Sequence, residues 1–238
     1  MECMSNVVNW IVYQEQLNQA FFRELRETVY VFQGYADLMA EIPGEMQESV
    51  RWRYEKSRDC LERLVQSWEL VQIYLYRQIE LNKTRVDLKR LIKEETEKCS
   101  KQAAEENISF HISPEKAIWI LGDENRLRLM LQNVLQHIMR VIPENETIKI
   151  DLWNDEQPVL QIQESACGIS ERERAFLLGN LISNAEEENI ESNSAITLAA
   201  SGIIAKAHGG RVEVDTINPK KKHKGTCYTF RFQQDTGQ

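Results

Sequence analysis

The sequence lacks any apolar run near the roughly 18 to 20 residues that a bilayer-spanning helix needs. Its first stretch, MECMSNVVNWIVYQEQL, has no basic start, no long apolar core and no small-residue cleavage site, so no secretory leader is expected. These absences predict a cytoplasmic chain with no membrane partner. Positive charge is also short: 29 Lys and Arg stand against 37 Asp and Glu, for a net charge of -8 and a pI near 5.2. Such a surface repels a phosphate backbone, which argues against nucleic acid as a partner. The 5 cysteines, Cys3, Cys60, Cys99, Cys167 and Cys227, form no CxxC pair and have no histidine at ligand spacing. Reduced structural thiols are expected, and no metal site. Internal repeats and low-complexity segments are absent too.

What is present is the composition of a folded globular chain, with 42% hydrophobic and 28% charged residues. A length of 238 residues allows one large domain or two small ones, each with its own core. From about Ser5 to Glu41 the only breaker is Gly34. Phe22, Leu25, Val29, Phe32, Ala36 and Met39 step by threes and fours, the seam of a coiled coil. EIPGE, Glu41 to Glu45, interrupts the pattern. A second helix is predicted from about Met46 to Asn82, with Tyr54, Ser57, Leu61, Leu64, Trp68, Val71 and Leu75 in the same alternation. Two helices of roughly 35 residues, about 50 Å long, joined by a short turn make an antiparallel hairpin. Such a hairpin cannot bury its seam alone, so a homodimeric four-helix bundle is expected.

After Lys83 the pattern changes. Val86 to Glu106 reads as a helix, ISFHIS and AIWILG as short strands, and DENRLRLMLQNVLQHIMRVI as an amphipathic helix beginning at Asp123. ETIKIDLW and PVLQIQES alternate as strands, SERE from Ser170 has the form of a capping box, and SAITLAASGIIAKAHGG is a helix stopped by paired glycines. RVEVDTI and TCYTFRF close with a hairpin whose loop holds Lys220 to Lys224, read as a solvated tip. The fold class is therefore α+β: a long antiparallel helical hairpin, four-helix bundle as a dimer, followed by an α/β sandwich with a mixed sheet.

Several of these pieces occur in an order that resembles the transmitter half of a bacterial sensor histidine kinase. ELR, Glu24 to Arg26, followed by GYADLM, Gly34 to Met39, looks like the acceptor-helix signature. VDLKRLI, DENRLRLMLQNVL and AHGGRVEV with GTCYTF look like the start, the asparagine-box helix and the last helix and strands of the ATP-binding domain of the gyrase, chaperone and kinase superfamily. The resemblance implies a dimerisation hairpin over residues 1–82 and a histidine-kinase-like ATPase domain over 83–238.

The chemistry departs from that pattern. Where the family motif begins with histidine, this chain has Arg23, followed by Glu24, Leu25, Arg26, Glu27, Thr28 and Val29. A guanidinium stays protonated and offers no lone pair to phosphorus. None of the 4 histidines, His111, His137, His208 and His223, lies on the hairpin. In the asparagine box the first asparagine is Asn133, but the second, which the resemblance makes a magnesium ligand, is His137, a poor donor for a hard cation. The first glycine box reads Glu164, Ser165, Ala166, Cys167, Gly168. The second falls on Asn193 to Ala199, where no glycine remains and Thr197 adds a β-branched side chain at a helix start. The segment EEENIESNS is acidic.

The expectation is a catalytically inactive, dimeric histidine-kinase-like regulator or adaptor, not an enzyme, that uses no cofactor. It binds a response-regulator receiver domain or a kinase-like signalling protein through Arg23, Arg26, Glu27 and Tyr30, with Arg23 reaching the receiver's acidic pocket. Its dimer core is Phe22, Leu25, Val29, Phe32, Leu61, Leu64 and Trp68, and its vestigial nucleotide site is Asn133, His137, Glu164, Gly168 and Thr197. The alternative is an atypical ATP-binding enzyme with residual ATPase or kinase activity. A relay phosphotransferase is the weakest reading, since such proteins keep the acceptor histidine.

Overall fold

Forty residues with a single glycine and no proline form one helix, α1 (Glu2–Glu41). The structure, a computed structural model, describes residues 2–42, 44, 47–76, 79–113, 116–165, 168–179, 194–217 and 225–233. The return helix α2 (Gln47–Tyr76) has 30 residues and stops short of the Asn82 end read from periodicity. The Phe32 and Tyr54 rings meet at 4.8 Å near the turn, and Phe21 stacks on Trp68 at 4.3 Å farther down, so the helices run antiparallel. No helix among the described residues is long and apolar enough to cross a membrane.

The α/β unit begins with a strand, whereas the sequence predicts helix from Val86. In β1 (Thr84–Asp87) the chain is extended because Asp87 caps the next helix, its carboxylate accepting from the Lys89 and Arg90 amides at 3.0 and 3.3 Å. Helix α3 (Leu88–Glu105) follows, then β2 (Ser109–Ile112) and β3 (Trp119–Gly122), which pairs with β1 in a separate antiparallel ribbon. Asp123 caps α4 (Glu124–Val141), and β4 (Thr147–Asn154) and β5 (Pro158–Glu164) form a hairpin. The capping box at Ser170 and Glu173 does start a helix, α5 (Glu171–Leu178). Helix α6 (Ala195–Ala207) leads to β6 (Arg211–Ile217) and β7 (Gly225–Arg231). The larger sheet has the order β2-β4-β5-β7-β6, parallel only at β2–β4, and is thus mixed. Residues 220 to 224, the lysine loop, lie outside the described residues.

Between the sheet and the helices the core is apolar. Ile148, Ile150, Ile162, Tyr228 and Phe230 from the strands meet Leu127, Val134 and Ile138 of α4 and Ile203 and Ile204 of α6, all buried. Two polar ties fix helix positions. His208 Nε2 accepts from the Asp123 amide at 3.0 Å, so Nδ1 carries the proton and donates to the Ile204 carbonyl at 2.8 Å. Arg128 of α4 bridges to α3: its Nη2 contacts Glu94 at 2.8 Å and Glu124 at 2.9 Å, and its Nη1 reaches the buried Glu95. Helices α5 and α6 approach closely at Gly202, where any Cβ would collide with the Leu177 carbonyl.

Candidate functional site: the cleft between hairpin and sheet unit

Helix α2 lies across α6, and α1 touches α6 as well. The reason is visible at the start of α6. The first amides of any helix have no partner inside it, and Ser194, at the cap position, makes no side-chain bond to them. Glu24 of α1, 172 positions away, supplies the acceptor: its Oε1 takes the Ile196 N–H at 2.8 Å. Glu24 is 2% exposed. Burial raises its pKa to about 7, against the lowering influence of the Ile196 amide, Arg140, Arg23 and the Ala195 amide. Arg140 is anchored on the same turn, with Nη1 donating to Ser194 Oγ at 3.1 Å.

Beside Glu24 is a cavity of about 220 Å³, lined on the hairpin side by Thr28 and Leu64 and on the other by Asn133, His137, Arg140 and Thr197. Asn133 ties three helices together, donating from Nδ2 to Ser67 Oγ at 3.0 Å and to the Thr197 carbonyl at 3.1 Å. Its Oδ1 is buried with no hydrogen-bond partner among the described residues. His137 is 1% exposed and edge-on to Tyr228, with centroids 6.2 Å apart. Its Nδ1 is 3.5 Å from Glu173 Oε1, and neither ring nitrogen makes a hydrogen bond among the described residues. Burial lowers its pKa, opposed by the Glu173 carboxylate, so the ring is held neutral near pH 7.

Of the five residues expected at the vestigial nucleotide site, Asn133, His137 and Thr197 share one cavity. Glu164 and Gly168 sit at the end of β5, where Glu164 Oε1 accepts the Gly168 amide at 3.2 Å and Gly168 has a left-handed φ of 72°. Ala166, Cys167 and Asn193 lie outside the described residues. The hairpin residues divide. Arg26 is exposed and Tyr30 is 67% exposed, whereas Glu27 lines the cavity and Arg23 is half-buried, its Nε and Nη2 without a hydrogen-bond partner among the described residues. Of the seam residues, Phe22 is exposed, and Leu25, Val29, Phe32, Leu61 and Trp68 are half-buried. Leu64 is buried inside the single chain, in the cleft. No motif in the sequence announces the Glu24 contact. Its only signal was a helix start at Ser194 with no acidic residue in the first turn.

Because Glu24 has a folded pKa above its unfolded value near 4.5, its contribution to stability is fully present below pH 4.5 and is lost as pH rises through 7. Relative to Glu24→Gln, the wild type should lose stability between pH 5 and 8, by at most about 3 kcal/mol. Urea titrations of both proteins across that range check this; parallel pH curves would contradict it.

Residues 122–236 match the family described as "Histidine kinase-, DNA gyrase B-, and HSP90-like ATPase". The adaptive-response sensory kinase SasA of Synechococcus sp. (strain CC9311) is 24% identical over 76% of this chain and 45% of its own. Sporulation kinase A of Bacillus subtilis (strain 168) is 28% identical over 62% of this chain and 23% of its own. The chain thus spans less than half the length of these curated relatives. Among solved structures, the Acinetobacter baumannii histidine kinase AdeS is similar at a TM-score of 0.60 and 15% identity, covering 89% of this chain and 98% of that one. Histidine kinase ThkA in complex with response regulator protein TrrA is similar at 0.54 and 18% identity, over 92% of this chain and 61% of that one. A helical hairpin followed by an α/β unit of this ATPase family is the architecture of a histidine kinase. This chain has the fold of a histidine kinase transmitter region. The expectation that it is not an enzyme is corrected: the matched family is described as an ATPase, and the curated relatives are named kinases.

Proposed function

We propose that this histidine-kinase-like protein is a dimeric signalling regulator, with residues 1–82 and 83–238 as its two domains, that engages the receiver domain of a response regulator on its hairpin. The observation that carries this reading is an exposed stripe on α1: Phe22 at 59% and Tyr30 at 67% exposure, with the cationic Arg26 one turn from each. The stripe adjoins Arg23, the position that the family resemblance assigns to phosphate acceptance. The solved complex of ThkA with TrrA supports a response regulator as the kind of partner. Since a guanidinium accepts no phosphoryl group, output from this part of the hairpin is by binding. Exposed Val65 and Tyr74, with the half-buried Leu25, Val29, Phe32 and Leu61, support a second hairpin as cover in a homodimer. Fluorescence anisotropy with labelled receiver domains of the native host is expected to give saturable binding that weakens at least tenfold in Arg23→Asp and Tyr30→Ala. Unchanged affinity in both variants removes the proposal.

A second reading is nucleotide-dependent enzyme activity in the α/β unit, favoured by the match of residues 122–236 to an ATPase family and by retention of Asn133. AMPPNP with magnesium at 100 times its dissociation constant would add about 2.7 kcal/mol to unfolding stability. No change in thermal midpoint at millimolar nucleotide would exclude it.

A further inference from the structure

A second cavity lies where the end of α3 meets α2. Its volume of about 490 Å³ falls within the range of about 300 to 1,000 Å³ that small-molecule sites occupy. It borders the cavity beside Glu24 and shares Arg63 and Arg140 with it, but Asn133, His137 and Thr197 take no part in it. Its walls come from both units of the chain, with Trp52 and Lys56 from α2, Gln102 from α3 and Met139 from α4.

Charge there is unbalanced. Arg53, Lys56, Arg63 and Arg140 face the two carboxylates Glu105 and Glu106. Arg53 is ion-paired with Glu105 at 3.8 Å, and Glu106 already accepts from Gln102 Nε2 at 3.2 Å. Neither Lys56 nor Arg63 forms an ion pair among the described residues. The Lys56 ammonium is 5.3 Å from the centroid of the Trp52 ring, which Lys101 approaches at 4.5 Å. Burial lowers the pKa of Lys56, opposed by the Glu106 carboxylate. The ammonium has thus given up water without gaining a counter-charge at ion-pair distance. A second observation is independent of charge. Gln102 Oε1 is buried with no hydrogen-bond partner among the described residues, although buried polar atoms in native proteins are almost always partnered. Met139 and Ile142, both buried, supply the apolar lining.

We propose that this cavity binds a small organic anion with an apolar body, an aromatic acid that carries one N–H or O–H donor. Its acidic group sits between Lys56 and Arg63, its donor meets Gln102 Oε1, and its rings cover Met139 and Ile142. An anion met by two half-buried cations forms charge-assisted bonds in a medium that screens them less than water does. The rings add apolar burial that a bare inorganic ion lacks, which selects an organic acid over phosphate or chloride.

Titration of the full chain at neutral pH, followed by fluorescence and calorimetry, tests this with two probes. One is anilinonaphthalene sulfonate, an aromatic sulfonate with one N–H; the other is phenylnaphthylamine, its neutral counterpart without the sulfonate. The sulfonate is expected to bind at one site per chain, at least tenfold more tightly than the neutral probe. In the double variant Lys56→Gln, Arg63→Gln its affinity is expected to fall to that of the neutral probe, whose own affinity stays unchanged. Lys149→Gln, which removes an exposed charge on β4, should alter neither. Gln102→Leu removes the acceptor but no charge, and it should weaken both probes at least threefold. Saturating AMPPNP is expected to leave the sulfonate bound. The proposal is overturned if the two probes bind alike, if the double variant or Gln102→Leu holds the sulfonate as tightly as wild type, or if AMPPNP displaces it. Circular dichroism of the variants guards against loss of fold as the cause.

Discussion

Gly202→Ala should lose about 3 kcal/mol of unfolding stability, although alanine is the better helix former. Gly202 lies within α6, and its missing side chain lets the Leu177 carbonyl of α5 rest against the helix. A Cβ there would meet backbone, not a flexible side-chain tip, so α5 would have to move away from α6. Overpacking costs 1 to 3 kcal/mol when side chains can yield, and the rigid obstacle puts this case at about the upper end. Gly34 is the control. It is exposed on α1, with no atom within 4 Å of where a Cβ would stand. Gly34→Ala should therefore stabilise by about 0.5 to 1 kcal/mol through helix propensity alone. Urea unfolding with unchanged m-values measures both, and equal shifts in the two would contradict the close approach.

Arg128→Leu is expected to cost about 3 kcal/mol. Glu95 of α3 is 1% exposed and is held by Arg128 from α4, with Lys98 at 2.8 Å and Gln132 at 2.7 Å completing its contacts. Removing the guanidinium leaves a buried carboxylate short of a counter-charge, and it releases Glu94 and Glu124, which share the same arginine. The desolvation penalty belongs to Glu95, so the double variant Arg128→Leu, Glu95→Leu should recover most of the loss. A thermodynamic cycle with near-additive single losses would show that the pair is not coupled.

The elements with long periodicity were legible before the structure. The threes and fours of α1 and the alternation of β4 to β7 each repeat one signal several times. Short-range chemistry was legible too, as at α5, where Ser170 and Glu173 satisfy each other across one turn. Four-residue β1 was not, since Asp87 serves both as the last strand residue and as the cap of α3. The end of α2 at Tyr76 instead of Asn82 carried no local mark such as proline or glycine. Leu64 shows the limit of a seam argument: its spacing marks it as apolar, but not whether a second hairpin or the chain's own α/β unit covers it. The resemblance groups Asn133, His137, Glu164, Gly168 and Thr197 as a vestigial nucleotide site, and of these Asn133, His137 and Thr197 line one cavity. Glu24 was not placed with them, because a bond between positions 172 apart leaves no pattern in either stretch.

The hairpin as the recognition surface is the center of the account, and hydrogen–deuterium exchange of the full chain with and without a bound receiver domain tests it most directly. Protection is expected along α1 from Phe22 to Phe32, with little change over β4 to β7. Protection confined to the α/β unit, with none on α1, would contradict it.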